Sequence, residues 1–435
     1  MFWGAKSELL ETISLFSGAG GLDLGFECAG FNLRVAVEKE IWACKTLRRN
    51  FPNTVVLGPP TCPGDVRKMT GSEIMKAGDL GRDKVQIVIG GPPCQPFSIA
   101  AAQRFLKGDN RYKRIGFEDR KRGNLTFEFF RLVFEIRPKM FLIENVPGLA
   151  DLDNGKTISG LRQAFNEIGY RTSEPFIVNA ADYGVPQRRE RLFLIGSLLH
   201  SGEFTFPEPG HWPMANLKNQ PLHRTVAHAL YGLAPDAPNH ITRNHQRESI
   251  LRYRKLGFGE RDHLGRVDRL DPRKPSKTVI AGGSKGGGRS HLHPYVARTL
   301  TVRECARIQS FPDDFVFEGT TGRQFTQVGN AVPPLLAEAI ARHIRICYLG
   351  FAIKAESKLS HMYDDSLSLS KMCESLLQAA VREAPDLTYY LMDKSIQTTA
   401  PAVKSKKGKV MPHGRVHETE TLQDNGLHTL ERFQT

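Results

Sequence analysis

The feature that most constrains this chain is the alternation of short apolar runs with helix-like segments over residues 13–199. Each apolar run is typical of a buried strand, and the stretches between the runs carry apolar residues at helical spacing. The predicted strands are 13–16, 33–38, 54–57, 85–89, 140–148 and 191–199, and the predicted helices lie within 17–30, 39–51, 124–136 and 155–169. Strands that alternate with helices predict an α/β fold with a doubly wound, mostly parallel sheet.

The character of the chain changes near residue 200. Residues 201–297 are rich in Pro, Gly, His and Arg, which predicts a second, smaller and loop-rich domain. Helical periodicity returns at 298–311, where Thr301 and Glu304 form a capping box, and again at 328–350. The predicted domains are therefore 1–199, 200–297, a return segment at 298–350, and a C-terminal extension at 351–435 that holds one amphipathic helix at 366–382 and is partly flexible.

The charge of the chain points to a polyanionic partner. The formal net charge is +14, and two stretches carry most of the excess. Residues 107–122 hold seven Lys/Arg against three acids, and residues 243–289 hold thirteen against five. Either stretch alone is equally well explained as a solvated basic loop, but the two together favour a nucleic-acid cleft.

Cysteine spacing and hydropathy narrow the class of protein. The seven cysteines are odd in number and include no Cys-x-x-Cys pair, so we expect neither a disulfide framework nor a zinc site, and no bound metal. The pattern is typical of a reducing cytoplasm. No stretch approaches the ~20 uninterrupted apolar residues of a membrane span, and the N-terminal residues do not resemble a secretory signal.

The glycine-rich turn after the first strand predicts a ligand site. A dinucleotide fingerprint would need glycine at position 23, where Asp23 stands, and the turn has no Lys or Arg for a triphosphate. A ligand with an adenosine and a small carboxylate fits better. Glu38 ends the second strand, where an acid accepts both ribose hydroxyls, and Asp65 ends a third element, where it can accept from an adenine amine. Each acid alone is more often a helix cap or a solvated surface residue, but the two in series behind a glycine loop favour ligand binding.

A second site is predicted where two further strands end. Cys94 lies in the proline-rich stretch GGPPCQPFS directly after strand 85–89; it is either a reactive thiol or an incidental small residue in a tight turn. Glu144 ends the strand expected beside it, where a buried carboxyl must be paired or protonated. A thiol and a partly desolvated carboxyl in one pocket form a nucleophile and acid pair. Arg189 and Arg191, at the start of the last strand, point to one side and would converge on a ligand oxygen, unless they are surface arginines.

Seven blocks of sequence, in this order, resemble those of the DNA (cytosine-5)-methyltransferases of bacterial restriction–modification systems. The blocks are LFSGAGGLDLGF, GDV, GGPPCQPFS, ENV, QRRER, RTLTVRECARIQSFPDDF and QVGNAVPP, and they cover residues 12–199 and about 275–345. Position 14 is Ser where many members carry Asp. Residues 205–270 and the segment after 350 match no family block.

The resemblance implies a fold of the S-adenosylmethionine-dependent methyltransferase type and assigns roles to the site residues. It implies Cys94 as the nucleophile, Glu144 at the cytosine ring, and Arg189 and Arg191 near the thiolate and the base. It implies S-adenosylmethionine as methyl donor, with Glu38 at the ribose and Asp65 at the adenine. The full set implied for this ligand is Phe16, Ser17, Gly18, Gly20, Gly21, Leu22, Glu38, Asp65, Pro92, Asn330 and Ala331.

The resemblance also implies a partner and leaves alternatives open. It implies action on double-stranded DNA, with target recognition in 200–297, by a monomeric, cytoplasmic bacterial protein associated with the nucleoid. A cognate restriction endonuclease would act on the same site without stable binding. The alternatives are an RNA (tRNA) cytosine-5 methyltransferase of the same fold and a non-catalytic DNA-binding relative; the presence of Cys94, Glu144 and Arg191 argues against the latter.

Overall fold

A parallel sheet forms the centre of the protein. The computed structural model describes residues 10–93, 125–199, 202–213, 220–281, 291–352 and 356–385. The strands of the main sheet are β1 (Leu10–Leu15), β2 (Phe31–Val37), β3 (Val55–Leu57), β4 (Ile87–Gly90), β5 (Met140–Asn145), β6 (Arg171–Thr172), β7 (Phe176–Asn179) and β8 (Glu190–Ser197). Their order is β3-β2-β1-β4-β5-β8, and the short strands β6 and β7 both pair with β8.

The direction of the strands confirms the predicted mostly parallel sheet. Strands β1 to β5 pair in parallel, whereas β8 runs antiparallel to β5. The carboxyl ends of β1, β2, β4 and β5 therefore lie at one edge of the sheet. Ligand sites in open parallel sheets occupy this edge.

Helices cover both faces of the sheet, which makes it doubly wound. The helices are α1 (Gly21–Cys28), α2 (Ile41–Asn50), α3 (Gly71–Ala77), α4 (Leu125–Ile136), α5 (Lys156–Glu167), α6 (Val226–Leu230), α7 (Arg247–Arg254), α8 (Val302–Ile308), α9 (Thr321–Asn330), α10 (Pro334–His343) and α11 (Leu369–Glu383). Helices α1, α2 and α10 pack in one apolar cluster with Leu33 and Ile89 of the sheet. Helices α3, α4 and α5 pack in a second cluster, with Val35 and Val88. Strands buried on both faces explain the near-continuous apolar runs of the sequence.

Short elements characterise the described part of residues 200–297. Beyond the one-turn helix α6 and the two-turn helix α7, this part contains strands β9 (Arg261–Asp262), β10 (Val267–Arg269) and β11 (His291–Leu292), which form a separate small sheet. Its loop-rich character agrees with its composition. No described helix is long and apolar enough to cross a membrane.

The return segment begins with the capping box predicted from its sequence. The Glu304 N–H donates to Thr301 Oγ1 over 3.2 Å, and the Thr301 N–H donates to Glu304 Oε2 over 2.7 Å, so that two backbone donors at the start of α8 are satisfied. Helix α10 then packs closely on α1. A β-carbon at Gly25 would lie only 2.4 Å from the Ala337 side chain, so this approach requires glycine.

Candidate active site

The loop between β1 and α1 is tied to the end of β2 by Glu38. The Gly18 N–H donates to Glu38 Oε2 over 2.7 Å, and the Lys39 and Glu40 N–H groups donate to Oε1 over 2.8 and 2.7 Å. Burial raises the pKa of Glu38, and these three hydrogen bonds oppose that rise. The carboxylate predicted to bind a ribose therefore lies directly beside the glycine loop.

The backbone of the glycine loop is shaped to leave space for a ligand. Phe16 has φ of +57°, a left-handed conformation that non-glycine residues rarely adopt and that recurs at binding sites. Gly18 also has φ of +57°, and no described atom lies within 4 Å of the position that its β-carbon would take. The Ser17 hydroxyl hydrogen-bonds to Ser14 Oγ over 2.8 Å. An open cradle of backbone next to an acid fits a small ligand with hydroxyl donors.

The return segment forms one wall of this cradle. A β-carbon at Gly21 would lie 2.2 Å from the Val332 carbonyl oxygen and 3.1 Å from the Ala331 β-carbon, so only glycine permits the contact. Two segments that carry predicted ligand-binding residues are thus adjacent. One contains Gly20, Gly21 and Leu22, and the other contains Asn330 and Ala331. Leu22 is buried in the apolar cluster beneath the loop, whereas Asn330 is exposed.

Asp65 lies near the same edge but is already paired. Its carboxylate accepts from Arg67 Nε over 2.9 Å and from an Arg67 terminal nitrogen over 2.6 Å, and Lys39 Nζ lies 3.8 Å away. The hydrogen bonds from Arg67 lower the pKa of Asp65 to about 2. The pairing of Asp65 with Arg67 was not predicted from the sequence, although an arginine two residues after an acid can indicate such an ion pair.

Glu144 and Arg191 form a buried ion pair at the end of β5. Arg191 Nε lies 2.9 Å from Glu144 Oε1, and the two side chains are only 14% and 12% exposed. Burial raises the pKa of Glu144, while Arg191 and then Arg189 lower it. Burial therefore favours the protonated form of this carboxyl, and the adjacent arginines favour the ionised form.

The chain that leads to Cys94 passes over this pair. A β-carbon at Gly91 would lie 2.7 Å from Glu144 Oε2, and the Asn145 side chain donates to the Pro92 carbonyl over 3.1 Å. The sequence predicted that the loop after β4 adjoins Glu144, and residues 91–92 do. Cys94 itself lies outside the described residues. The contact of Asn145 with Pro92 was not predicted from the sequence; the only indication of it was the position of Asn145 directly after Glu144.

Arg189 is fully buried and binds backbone rather than open space. Its guanidinium donates to the carbonyls of Val279, Gly329 and Ala331 over 3.1, 2.9 and 3.0 Å. These contacts join the start of β8 to the segment before β11 and to the end of α9. Arg189 thus holds the wall of the glycine cradle in place, and Arg191, two residues on, faces Glu144.

Asp23 is a further acid beside the glycine loop. Its side chain is completely buried on α1, and neither carboxyl oxygen has a hydrogen-bond partner of standard geometry among the described residues. Burial raises the pKa of Asp23 to about 7 against an opposing contribution from the Ser14 side chain. Within the part of the chain that the structure describes, no group of three or more His, Cys, Asp or Glu side chains could hold a metal ion.

Comparison with known proteins gives the same family as the sequence blocks. The model of the C-5 cytosine-specific DNA methylases matches residues 10–346. Type II methyltransferase M1.HphI of Haemophilus parahaemolyticus is 39% identical over 354 residues, which cover 77% of this chain and 86% of that protein. Type II methyltransferase M.PspPI of a Psychrobacter species is 36% identical over 362 residues, which cover 78% of this chain and 79% of that protein.

Solved structures agree with these relatives. A DNA modification methyltransferase encoded within an E. coli prophage superposes with a TM-score of 0.60 at 30% identity and covers 77% of this chain and 98% of that one. The Dnmt2 methyltransferase of S. pombe has a TM-score of 0.53 over 79% of this chain and 100% of its own, and at 16% identity it supports the fold alone. The chain therefore belongs to the family of C-5 cytosine-specific DNA methylases and is a DNA (cytosine-5)-methyltransferase.

Proposed function

We propose that this protein is the modification enzyme of a Type II restriction–modification system and methylates C5 of one cytosine within a specific sequence of double-stranded DNA. The relatives named above are Type II methyltransferases at 36–39% identity. The observation that carries the chemical part of the proposal is the meeting of Gly91, Glu144 and Arg191 at the ends of β4, β5 and β8.

The methyl donor is S-adenosylmethionine, which supplies a methyl group on a positively charged sulfur. The glycine loop with Phe16 and Ser17, Glu38, and the wall at Asn330 and Ala331 hold it, and the open space beside Gly18 together with the Glu38 carboxylate supports that fit. Asp65 binds the adenine amine while both of its carboxylate oxygens also accept hydrogen bonds from Arg67. Pro92, whose carbonyl Asn145 fixes, lies between this site and the base.

Cys94 is the nucleophile. Cytosine C5 is too poor a nucleophile to take a methyl group directly, so the Cys94 thiolate first adds to C6 and forms a carbon–sulfur bond. Glu144 gives a proton to N3 as the electrons move there, which turns the ring into an enamine whose C5 attacks the methyl group. Burial of Glu144 supports this role because it raises the pKa of the carboxyl.

Transfer of the methyl group to C5 leaves the donor's sulfur as a neutral thioether. Loss of the C5 proton to solvent, return of the N3 proton to the Glu144 carboxylate and elimination of the Cys94 thiolate from C6 then restore the aromatic ring. Arg191 holds Glu144 in position and faces the base. Arg189 joins the start of β8, which carries Arg191, to the end of α9 at Gly329. A stacked base is out of reach of these groups, so the target cytosine is flipped out of the duplex. The basic residues of 107–122 and 243–289 hold the opened DNA through its phosphates.

Target recognition belongs to residues 200–297, whose described part contacts the catalytic segments through Ser276 and Thr278. The Arg188 N–H donates to the Ser276 carbonyl over 2.8 Å, and the Thr278 hydroxyl donates to the Arg188 carbonyl over 2.9 Å. The protein acts as a monomer in the cytoplasm, on nucleoid DNA, and shares its target with a restriction endonuclease without binding it stably.

Bisulfite sequencing of plasmid DNA from cells that express the protein tests this function. We expect one cytosine within one recurring sequence to be fully converted to 5-methylcytosine, with resistance to restriction enzymes that cut there. Total RNA from the same cells should show no new 5-methylcytosine. Methylation of RNA with unmodified plasmid DNA would instead establish the RNA alternative, and unmodified nucleic acid of both kinds would contradict the proposal.

A further inference from the structure

The segment after the family match is ordered and rooted in the catalytic part of the chain. We call residues 356–383 the C-terminal strap; they lie beyond the matched residues 10–346. At its start, the Ser357 hydroxyl donates to the buried Glu338 of α10 over 2.6 Å. Further on, the Tyr363 hydroxyl donates to the Arg307 carbonyl of α8 over 2.8 Å. Both anchor residues belong to the return segment.

The strap next binds a buried arginine within the predicted recognition region. Arg224, which precedes α6 and is 3% exposed, donates from Nε to Asp365 over 2.9 Å and pairs with the second oxygen of the same carboxylate. Its guanidinium also lies over the Tyr363 ring at 4.7 Å. A buried arginine held by a bidentate carboxylate and an aromatic face has few alternative positions.

The strap also binds the end of that region. Arg298, the first residue after 200–297, donates to both oxygens of Glu383, over 2.7 and 3.1 Å. The Cys373 side chain lies beside that of Tyr295, whose ring meets that of Phe258 at 5.6 Å. Contacts of the strap therefore reach the first third of residues 200–297 at Arg224, the end of this region at Tyr295, and the point at Arg298 where the chain rejoins the catalytic segments.

An apolar stripe secures the strap between these contacts. Met372, Leu376 and Ala380 recur every four residues along α11, and all three are buried in the larger apolar cluster, against which α6 also packs. The helix is thus a packed element that contacts α6 and, at its end, Arg298, rather than a surface appendage.

We propose that the C-terminal strap is a positioning element for DNA specificity, which fixes the orientation of residues 200–297 relative to the catalytic segments. This inference rests on the proposed recognition function of that region. Hydrogen bonds of Ser276, Thr278 and Val279 hold one side of this region on the catalytic segments. The strap adds contacts at Arg224 and Tyr295, which restrict rotation of the region about those bonds. Because discrimination between bases depends on placement to within about an ångström, loosening the strap lowers specificity before it affects the site of the methyl donor.

The test is to remove the two charged contacts and measure specificity as a ratio. In the double variant Asp365→Asn/Glu383→Gln, kcat/KM is measured on a duplex with the site mapped by bisulfite sequencing and on duplexes with one base pair of that site changed. We expect the ratio between the two to fall at least tenfold, while the Kd of S-adenosylmethionine stays within twofold. The matched control is Glu374→Gln, an exposed acid on the same helix, which should leave the ratio unchanged.

A ratio that stays at the wild-type value would overturn the inference, even if the melting temperature falls. Loss of folded protein lowers both rates equally and so leaves the ratio unaltered, which separates positioning from stability. If the double variant is insoluble, Asp365→Asn alone serves, because this carboxylate is half-exposed, and its ratio should fall at least threefold. A wild-type protein that methylates no DNA would overturn the proposed function and this inference together.

Discussion

Arg191 lies with its Nε 2.9 Å from Oε1 of Glu144, and the chain that leads to Cys94 crosses the other oxygen of the same carboxylate at Gly91. Two opposing effects act on the pKa of Glu144. Burial raises the pKa of Glu144, whereas the cation beside it lowers that pKa. In the proposed mechanism, this carboxyl is the group that gives a proton to N3 of the cytosine ring.

The pH dependence of methyl transfer tests the role of Glu144. Because the protonated carboxyl is the active form and its pKa is raised, kcat should fall as the pH rises through that pKa. Glu144→Gln should lower kcat by about 10²–10⁴-fold, the usual contribution of a general acid, and should abolish the alkaline decline. Glu190→Gln, an exposed acid at the start of the neighbouring strand β8, is the control and should keep the wild-type profile. An alkaline decline that persists in Glu144→Gln would assign it to another group.

Glu38 should contribute to binding of the methyl donor. Glu38→Ala removes the acceptor of the Gly18 N–H and of the proposed ribose hydroxyls, and leaves backbone donors unpaired. We expect calorimetry to show S-adenosylmethionine binding weakened by about 1–3 kcal/mol, the cost of unpaired polar groups. Glu374→Ala, on the exposed face of α11, should bind like the wild type. Equal affinity of the Glu38 variant and the wild type would refute the assignment.

Asp23 should make the unliganded protein less stable as the pH rises. Its pKa is near 4 when unfolded and about 7 when folded, so the folded state holds the extra proton between these values. Stability is therefore lost as the pH rises from about 4 to 7, and Asp23→Asn should be spared this loss, on the order of 4 kcal/mol at about 1.4 kcal/mol per pKa unit. Urea denaturation at pH 5.5 and 8.5 covers the upper half of this range and should show a loss of about 2 kcal/mol in the wild type that is absent in Asp23→Asn. A wild-type protein that loses no more stability than Asp23→Asn between these pH values would show that Asp23 is ionised at both.

The fold was predictable because its signal is local. Strands β1 to β5 and β8 are apolar runs that can be recognised within a few residues, and burial on both faces makes most of these runs continuous. The short strands β6 (Arg171–Thr172) and β7 (Phe176–Asn179) were not predicted, because neither is a buried apolar run. Glu144 and Glu38 were also found locally, since each is an acid that ends such a run. The antiparallel direction of β8 was not predicted, because the direction of a strand depends on the path of the connection before it.

The long-range contacts that complete the site could not be predicted from local sequence patterns. Arg189 meets Gly329 and Ala331 across 140 and 142 positions of the sequence, and Arg224 meets Asp365 across 141. An arginine in a polar stretch gives no sign of which carbonyl or carboxylate it will bind. The C-terminal strap illustrates the same limit: its helix was predicted from its periodicity, but the elements that its apolar stripe contacts were not.

Sequence specificity should follow residues 200–297. Exchanging this segment for that of a relative with a different target should change which cytosine is methylated, because base contacts depend on the loops of the region rather than on the sheet. Bisulfite sequencing of plasmid DNA from cells with the chimaera measures the outcome. Since the strap binds Arg224, Tyr295 and Arg298, the exchange should retain these three residues. A chimaera that still methylates the original site would place recognition elsewhere.

The most direct test of the proposed chemistry uses duplex DNA with 5-fluorocytosine at the target position. If Cys94 adds to C6, the ring takes the methyl group and then stalls, because fluorine cannot leave C5 as a cation and the thiolate cannot be eliminated. We expect a denaturation-resistant protein–DNA adduct that forms efficiently only with S-adenosylmethionine and maps to the peptide containing Cys94. Cys94→Ser should bind the DNA but give no stable adduct, since a hydroxyl is far less ionised than a thiol. An adduct through another cysteine, or full turnover by Cys94→Ser, would contradict the account.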